Sequence, residues 1–257
     1  MDKNMEGTTF LPQFHADGRV KFDSSWYQGR GVYGGLVFAY FVQGLTTRGG
    51  FPIRSIQVEL CRPMQEGAAQ YRFNCICKGS STEFWRAEVY QNEQVVAYAN
   101  AVLGGVRKSD YDAQEVILPK VRAWKELTPI PRNPIMPAFS QHIEYRVCVG
   151  GFPFQGSASS KTGGWLAFRE DRCTQPAVQQ VALMDSWWPS MAMNINKMHY
   201  MGTVSFSCHF FAPIAPPYLF IAQNRAIHDG YASEKNELWS TDGKLVAVAQ
   251  QLIAIIR

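Results

Sequence analysis

Two pairs of segments in this 257-residue chain resemble each other at a separation of 150 positions. The first pair is IRSIQVELCRP, residues 53–63, and TVSFSCHFFAP, residues 203–213. The second pair is QNEQVVAYANAVL, residues 91–103, and TDGKLVAVAQQLI, residues 241–253. No gap is needed between the first pair and the second. A fixed separation over so long a span predicts an internal repeat, in which each copy is one structural unit.

The two copies differ in polarity at three aligned positions. Extended upstream, the same separation places GVYGGLVFAYF over VALMDSWWPSM. The three differing pairs are Asp185 over Gly35, Thr203 over Ile53 and Gln251 over Ala101. A polar set in one copy that is small or apolar in the other predicts one active copy and one supporting copy.

Each copy combines one helix with a run of strands. Residues 31–47, opened by glycines, predict the first long helix. Residues 53–104 alternate with period two and contain turn signals, so they predict an antiparallel meander. Residues 176–190, PAVQQVALMDSWWPS, predict the helix of the second copy, with Asp185 among apolar and aromatic neighbours. This order of elements is typical of the α+β class.

Residues 105–140 separate the copies and are rich in proline. The prolines are Pro119, Pro129, Pro131, Pro134 and Pro137. Because proline disfavours regular helix and central strand, this density predicts a linker that wraps the surface. We therefore predict an N-terminal unit at residues 1–104 and a C-terminal unit at residues 141–257.

Composition excludes several classes of function. The net charge is +4 without a basic run, so no nucleic-acid partner is predicted. The six cysteines form no C-x-x-C, which favours reduced, buried thiols. The first residues lack a signal-peptide pattern, and the longest apolar stretch, GVYGGLVFAYFVQGL, is too short and too rich in glycine to span a bilayer. We expect a cytoplasmic protein without a membrane span.

A long helix followed by a meander is the hotdog pattern, and two fused copies predict a double hotdog. The chain resembles the type II acyl-CoA thioesterase family in four stretches, which are VYGGLVFAY, LMDSWWPS, TVSFSCHFFAP and TDGKLVAVAQQ. That family carries a glycine pair on its first helix, an Asp on its second, a Thr near the start of the next strand and a Gln after D-G-x-L-V-A. The resemblance implies hydrolysis of an acyl-CoA or acyl-carrier thioester, and self-association into a homo-oligomer.

The candidate chemistry follows from which motifs are present. The chain has no G-x-S-x-G elbow, no H-E-x-x-H and no paired Cys/His spacing, so neither a serine triad nor a metal site is supported, and no cofactor is predicted. The remaining candidate mechanism is attack by a water molecule that Asp185 activates, with Thr203 and Gln251 holding the water and the carboxylate through hydrogen bonds. Gly34 and Gly35 either bind substrate through their N–H groups or allow tight packing of the helix on the sheet.

Two other functions stay open. An acyl-thioester dehydratase or hydratase on this fold commonly uses a His with an acid, and neither predicted helix contains a His. A non-catalytic acyl-binding protein would keep the pocket without needing Asp185. Among the histidines, His209 shares strand parity with Thr203 and is the strongest candidate for the site. Trp187 and Trp188 fit either the core or the lining of an acyl pocket.

Overall fold

The computed structural model describes residues 14–170 and 175–256. These residues form thirteen strands and two α-helices. The elements of the first half are β1 (Arg19–Phe22), β2 (Tyr27–Gln28), β3 (Gly31–Val32), α1 (Gly34–Arg48), β4 (Ile53–Leu60), β5 (Gly67–Lys78), β6 (Thr82–Gln91) and β7 (Gln94–Gly104). The elements of the second half are β8 (Ile143–Val149), β9 (Thr162–Phe168), α2 (Pro176–Met184), β10 (Tyr200–Phe210), β11 (Tyr218–His228), β12 (Tyr231–Trp239) and β13 (Leu245–Ile256).

One antiparallel sheet runs through both halves. Its eleven strands follow the order β1-β5-β6-β7-β4-β10-β13-β12-β11-β9-β8. The halves join where β4 pairs with β10, and Gln57 lies opposite Ser207, its counterpart 150 positions later. Pairing between repeat-equivalent residues places an approximate two-fold axis at the centre of the sheet.

The strand registers confirm the repeat at the centre of the sheet. Ile53 pairs with Leu103, and 150 positions later Thr203 pairs with Ile253. Both pairs of strands then shift register at the same place, before Ser55 and before Ser205. A shared bulge at an equivalent position indicates two copies of one design.

The prediction of an ungapped repeat is wrong for the outer strands. The register shift between Cys75 and Cys77 on β5 recurs between Asn224 and Ala226 on β11, 149 positions later. The difference between 149 and 150 positions is made up in the loops. The hairpin loop that joins β12 to β13 is longer than the tight turn at Asn92 and Glu93, which joins β6 to β7.

Helix α1 is enclosed on all sides. It begins at Gly34 and ends at Arg48, close to the predicted range, and eleven of its 15 residues are buried. It lies antiparallel to α2, since Thr46 Oγ1 is 3.0 Å from Gln175 Oε1 at one end, and the Tyr33 hydroxyl donates to the Ala182 carbonyl at the other. A helix that is apolar all round suits burial between a sheet and a second helix.

Helix α2 is shorter than predicted, with nine residues, so a long helix is not confirmed for the second half. It ends at Met184, and Asp185 follows it. Because a residue before proline avoids the α conformation, Trp188-Pro189 opposes continuation of the helix. The upstream alignment is therefore wrong, and Asp185 is not the counterpart of Gly35. The reason is that residues 185–199 connect α2 to β10, whereas only residues 49–52 connect α1 to β4.

The segment between Gly104 and Ile143 contains two short 3-10 helices, Trp124–Glu126 and Ala138–His142, and no α-helix or strand. It packs on the outer face of the second half, where Leu127 contacts a cluster that includes Trp165 and Trp239. Arg146 Nη1 donates to the carbonyl oxygens of Trp124 and Leu127, at 2.7 Å each. This segment thus buries apolar surface on one half of the sheet.

Five cysteines in the described residues are free thiols. They are Cys61, Cys75, Cys77, Cys148 and Cys208, of which only Cys208 is fully buried, so the prediction of buried thiols holds for that residue alone. Cys173 lies outside the described residues. Between residues 14 and 256, leaving out 171–174, no helix combines the length and the apolar character that a bilayer crossing requires.

Candidate active site

Asp185 stands immediately after α2, in the interior of the molecule. Its residue surface is 8% exposed, and its backbone N–H closes the last turn of the helix by donating to the Ala182 carbonyl at 3.3 Å. Two tyrosines secure this end of the helix. The Tyr33 hydroxyl donates to the Ala182 carbonyl, and the Tyr145 hydroxyl donates to the Ser186 carbonyl at 3.1 Å. The carboxylate is therefore carried by backbone that both halves of the chain hold in place.

The Thr203 hydroxyl connects Asp185 to Gln251. Thr203 Oγ1 lies 3.2 Å from Asp185 Oδ1 and 3.0 Å from Gln251 Oε1. A hydroxyl has one proton to donate, so it serves one of these oxygens at a time, and its oxygen can accept a hydrogen bond from Asp185 when that carboxyl is protonated. The three residues predicted from the sequence thus form one connected network, contributed by the end of α2 and by the neighbouring strands β10 and β13.

The first turn of α1 meets the same carboxylate from the other half of the chain. The Gly35 backbone N–H hydrogen-bonds to Asp185. A Cβ on Gly34 would lie 2.7 Å from Asp185 Oδ2, and a Cβ on Gly35 would lie 2.6 Å from the Ala182 carbonyl oxygen. A helix N-terminus favours a negative charge because its N–H groups lack partners within the helix. The glycines thus allow tight packing of α1 against the end of α2; their role in substrate binding stays a prediction.

Burial raises the pKa of the Asp185 carboxyl to about 7. Hydrogen bonds from Thr203, Gly35 and Gln251 act in the opposite direction because they favour the charged form, and the negative charge of Glu234 raises the pKa further. A carboxyl with a pKa near neutrality can both take up and release a proton under ordinary conditions.

His209 does not reach this site. The register shift between Thr203 and Ser205 reverses the alternation along β10, so the predicted shared parity of His209 and Thr203 is wrong. His209 is exposed, as are His15, His199 and His228. The remaining histidine, His142, stacks on the ring of Trp26 at 4.0 Å.

The two tryptophans after Asp185 differ in environment. Trp187 is 6% exposed, donates to Thr162 Oγ1 at 3.1 Å and stacks on Phe220, so it belongs to the core. Trp188 is half-buried and lies between Trp187 and Phe152, which is exposed. Trp188 therefore marks the side on which the site approaches the surface.

Sequence analysis missed one buried acid beside the site, Glu234 on β12. It is 3% exposed and lies directly opposite Gln251 on β13. The alternation in YASEKNELW contained a signal, because it places Glu234 on the same strand face as Ala232 and Leu238. In the part of the chain that the structure describes, no group of three His, Cys, Asp or Glu residues is placed to hold a metal ion.

Two family models match the chain. The model described as the acyl-CoA thioesterase N-terminal domain matches residues 22–104. The model described as the acyl-CoA thioesterase C-terminal domain matches residues 114–255, which is more than half of the chain. No curated protein sequence matches at a significant level.

Solved structures share the whole fold. A hot dog protein of unknown function from Alicyclobacillus acidocaldarius has a TM-score of 0.84 at 21% identity, covering 93% of this chain and 92% of its own. A tesB protein from Mycobacterium avium subs paratuberculosis has a TM-score of 0.78 at 12% identity, covering 96% of each chain. An acyl-CoA thioesterase II from Mycobacterium marinum has a TM-score of 0.72 at 13% identity, covering 93% of this chain and 92% of its own. At these identities, the likeness shows a hotdog fold.

Proposed function

The chain belongs to the acyl-CoA thioesterase family and is a thioester hydrolase, and from this premise we propose that it cleaves a fatty or related acyl-CoA to free acid and CoA with water activated by Asp185. One observation carries the proposal. The Asp185 carboxyl, with a pKa of about 7, shares the Thr203 hydroxyl with Gln251 in a buried network. A buried base with a near-neutral pKa and fixed hydrogen-bond partners is suited to general acid-base chemistry.

In the proposed reaction, Asp185 takes a proton from a water molecule as the water oxygen attacks the thioester carbonyl carbon. The tetrahedral intermediate then collapses with cleavage of the C–S bond. The protonated Asp185 returns the proton to the departing CoA sulfur, so the carboxylate is restored and one water is consumed. Thr203 and Gln251 orient the carboxylate and the water through hydrogen bonds.

We assign the thioester carbonyl to the N-terminus of α1 at Gly34; the Gly35 backbone N–H already binds the Asp185 carboxylate and holds it beside the substrate. Positive partial charge at a helix N-terminus stabilises the developing oxyanion. The absence of a Cβ at Gly34 supports this assignment, since a Cβ there would occupy the space beside the carboxylate, 2.7 Å from Asp185 Oδ2. Gly34→Ala, which would press a methyl group against the Asp185 carboxylate, tests the site.

We also propose two fused hotdog units, a double hotdog, at residues 1–104 and 141–257, joined by a linker at 105–140; the pairing of β4 with β10 between repeat-equivalent residues supports the two units. We also retain acyl-carrier thioesters as alternative substrates. A cytoplasmic location and a homo-oligomeric state complete the proposal, and sedimentation analysis of the purified protein tests the second of these.

A dehydratase or hydratase is the second enzymatic candidate, and the histidines argue against it. Four of the five are exposed, and His142 is engaged with Trp26, so none accompanies Asp185 as a catalytic partner. A non-catalytic acyl-binding protein is the candidate from another class. It would bind acyl-CoA without releasing thiol.

The deciding experiment measures release of free thiol from saturated acyl-CoAs of graded length, with the wild-type protein and Asp185→Asn. We expect turnover with the wild type and its loss in the folded variant. Turnover that survives in Asp185→Asn would remove Asp185 from the mechanism. Binding without turnover at every chain length would favour the acyl-binding protein or a carrier-protein substrate.

A further inference from the structure

A second buried carboxylate, Glu234, lies one side chain beyond the network of Asp185, Thr203 and Gln251. It stands in the middle of β12 and is 3% exposed. It pairs with Gln251 across the antiparallel ladder, and residues directly opposite each other present their side chains to the same face. Glu234 therefore lies beside the Gln251 side chain, whose amide oxygen accepts a hydrogen bond from Thr203.

Glu234 also holds the chain segment that carries Asp185. Its carboxylate accepts a hydrogen bond from the backbone N–H of Ser190, the first residue of the 3-10 helix Ser190–Met193. The residue before that helix is Pro189, which makes no side-chain cap. Glu234 thus supplies the cap from another strand and ties the segment after Asp185 to β12.

The surroundings of Glu234 are polar and incompletely paired. Ser190 and Asn236 lie beside it, and both are fully buried. Within the described residues, however, Ser190 Oγ and both side-chain amide atoms of Asn236 lack a hydrogen bond of good geometry. Buried polar atoms are costly to leave unpaired, and the Glu234 carboxylate is the hydrogen-bond partner within reach of both side chains.

We propose that Glu234 is a positioning residue of the hydrolytic site: it holds the segment after Asp185 through Ser190, and its negative charge acts on the Asp185 carboxylate from beyond Gln251. The proposal rests on the proposed function, because it assigns Glu234 a part in the water activation by Asp185. The charge of Glu234 contributes to the raised pKa of Asp185, after burial, and burial raises the pKa of Glu234 itself.

Few other ionisable groups face Asp185. Tyr33 precedes α1, and Tyr145 on β8 donates to the neighbouring Ser186. Burial raises the pKa of both tyrosines, so both stay neutral in the range in which Asp185 titrates. From β10 and β13 the facing groups, Thr203 and Gln251, carry no charge. Glu234 is therefore the charged neighbour that acts on the pKa of Asp185, in addition to the larger effect of burial.

The test compares Glu234→Gln with Glu234→Ala in thiol-release assays from pH 5 to pH 9. Glutamine keeps an oxygen that accepts from the Ser190 N–H but carries no charge. We expect Glu234→Gln to move the acidic limb of the kcat/KM profile to lower pH by at least about half a unit, with KM nearly unchanged. Alanine removes the acceptor as well, and we expect kcat to fall on the order of tenfold while KM changes less.

Glu237→Gln is the matched control, because it removes a carboxylate from the same strand on the opposite face. The proposal would be overturned if the acidic limb of the kcat/KM profile stayed in place in Glu234→Gln and Glu234→Ala kept its full kcat. Carbon-13 NMR of the labelled carboxyl of Asp185, assigned with Asp185→Asn, measures the same shift without substrate. The NMR shift therefore tests Glu234 even if the wild-type protein hydrolyses no thioester, an outcome that would count against the proposed function instead.

Discussion

A Cβ atom on Gly34 would lie 2.7 Å from Asp185 Oδ2, although the two residues come from opposite halves of the chain. Real Cβ contacts do not come this close, so one of the two groups would have to move. The carboxylate has little freedom, because the Gly35 N–H and the Thr203 hydroxyl both bind it. The absence of a side chain at Gly34 is therefore what lets the first half of the chain meet the Asp185 carboxylate.

Gly34→Ala should impair turnover more than folding. The added methyl group displaces the Asp185 carboxylate, and misplacement of a catalytic group by about 1 Å costs on the order of 100-fold in rate. We expect kcat to fall by about that factor in steady-state thiol release. Gly202→Ala is the control, since its Cβ would meet only Ile256 Cδ1 at 3.9 Å. Equal kcat for the two variants would contradict the assignment.

Thr203→Val should separate the contribution of the Thr203 hydroxyl from the contribution of side-chain packing. Valine has nearly the shape of threonine but leaves Asp185 and Gln251 without the hydroxyl between them. Loss of a buried hydrogen bond to a charged group costs about 1–3 kcal/mol, which corresponds to a fall in kcat of roughly 5- to 150-fold. Thr203→Ser keeps the hydroxyl and should retain most of the activity. If both variants lose activity equally, the hydroxyl is not the reason.

The strands at the centre of the sheet could be predicted from the sequence because both copies keep the same ladder there. The correspondence of Ile53 with Thr203, and of Ala101 with Gln251, holds in the structure because the paired strands in both halves share one ladder and one bulge. Period-two alternation failed at that bulge, and His209 was therefore assigned to the wrong face. A bulge leaves no clear mark in a single sequence.

The contact between Asp185 and Gly35 could not be derived correctly from the repeat. The alignment made them equivalent, whereas the structure makes them neighbours across two antiparallel helices. An alignment at a fixed separation fails across connections of different length. The segment between α2 and β10 is much longer than the segment between α1 and β4. Glu234 was missed for another reason, since a strand pattern shows which face a residue occupies but not what covers that face.

The activity should depend on the ionised form of Asp185. Its pKa of about 7 lies above the ordinary value of 3.8 because the carboxyl is buried. Only the carboxylate accepts a proton from water, so we expect kcat/KM to rise about tenfold per pH unit below pH 7 and to level off above it. The measurement is a profile from pH 5 to pH 9 with saturated acyl-CoA. A profile that stays flat down to pH 5 would show that the buried carboxyl titrates as an exposed one.

The same carboxyl should make the folded state less stable as pH rises. The unfolded chain releases the proton near pH 4, while the folded protein keeps it up to about pH 7. The folded state therefore binds more protons between these values, and the free energy of unfolding decreases with pH across that window by up to about 4 kcal/mol. Below pH 4 and above pH 7 this contribution is constant.

Asp185→Asn should remove the decrease in the free energy of unfolding that the ionisation of Asp185 causes as pH rises. The asparagine oxygen can accept from the Gly35 N–H, and its amide can donate to Thr203, whose hydroxyl then donates to Gln251, so the contacts with Gly35 and Thr203 are kept and only the hydrogen bond from the Gln251 side chain is weakened. We expect the variant to exceed the wild type in stability at pH 8 and to lose this advantage toward pH 5, in urea unfolding at both pH values. Because Glu234 is present in both proteins, its own titration largely cancels in the comparison. Asp110→Asn, at an exposed position, provides the control. A variant less stable than the wild type at pH 8 would mean that the carboxylate stabilises the interface of the two halves more than its burial costs.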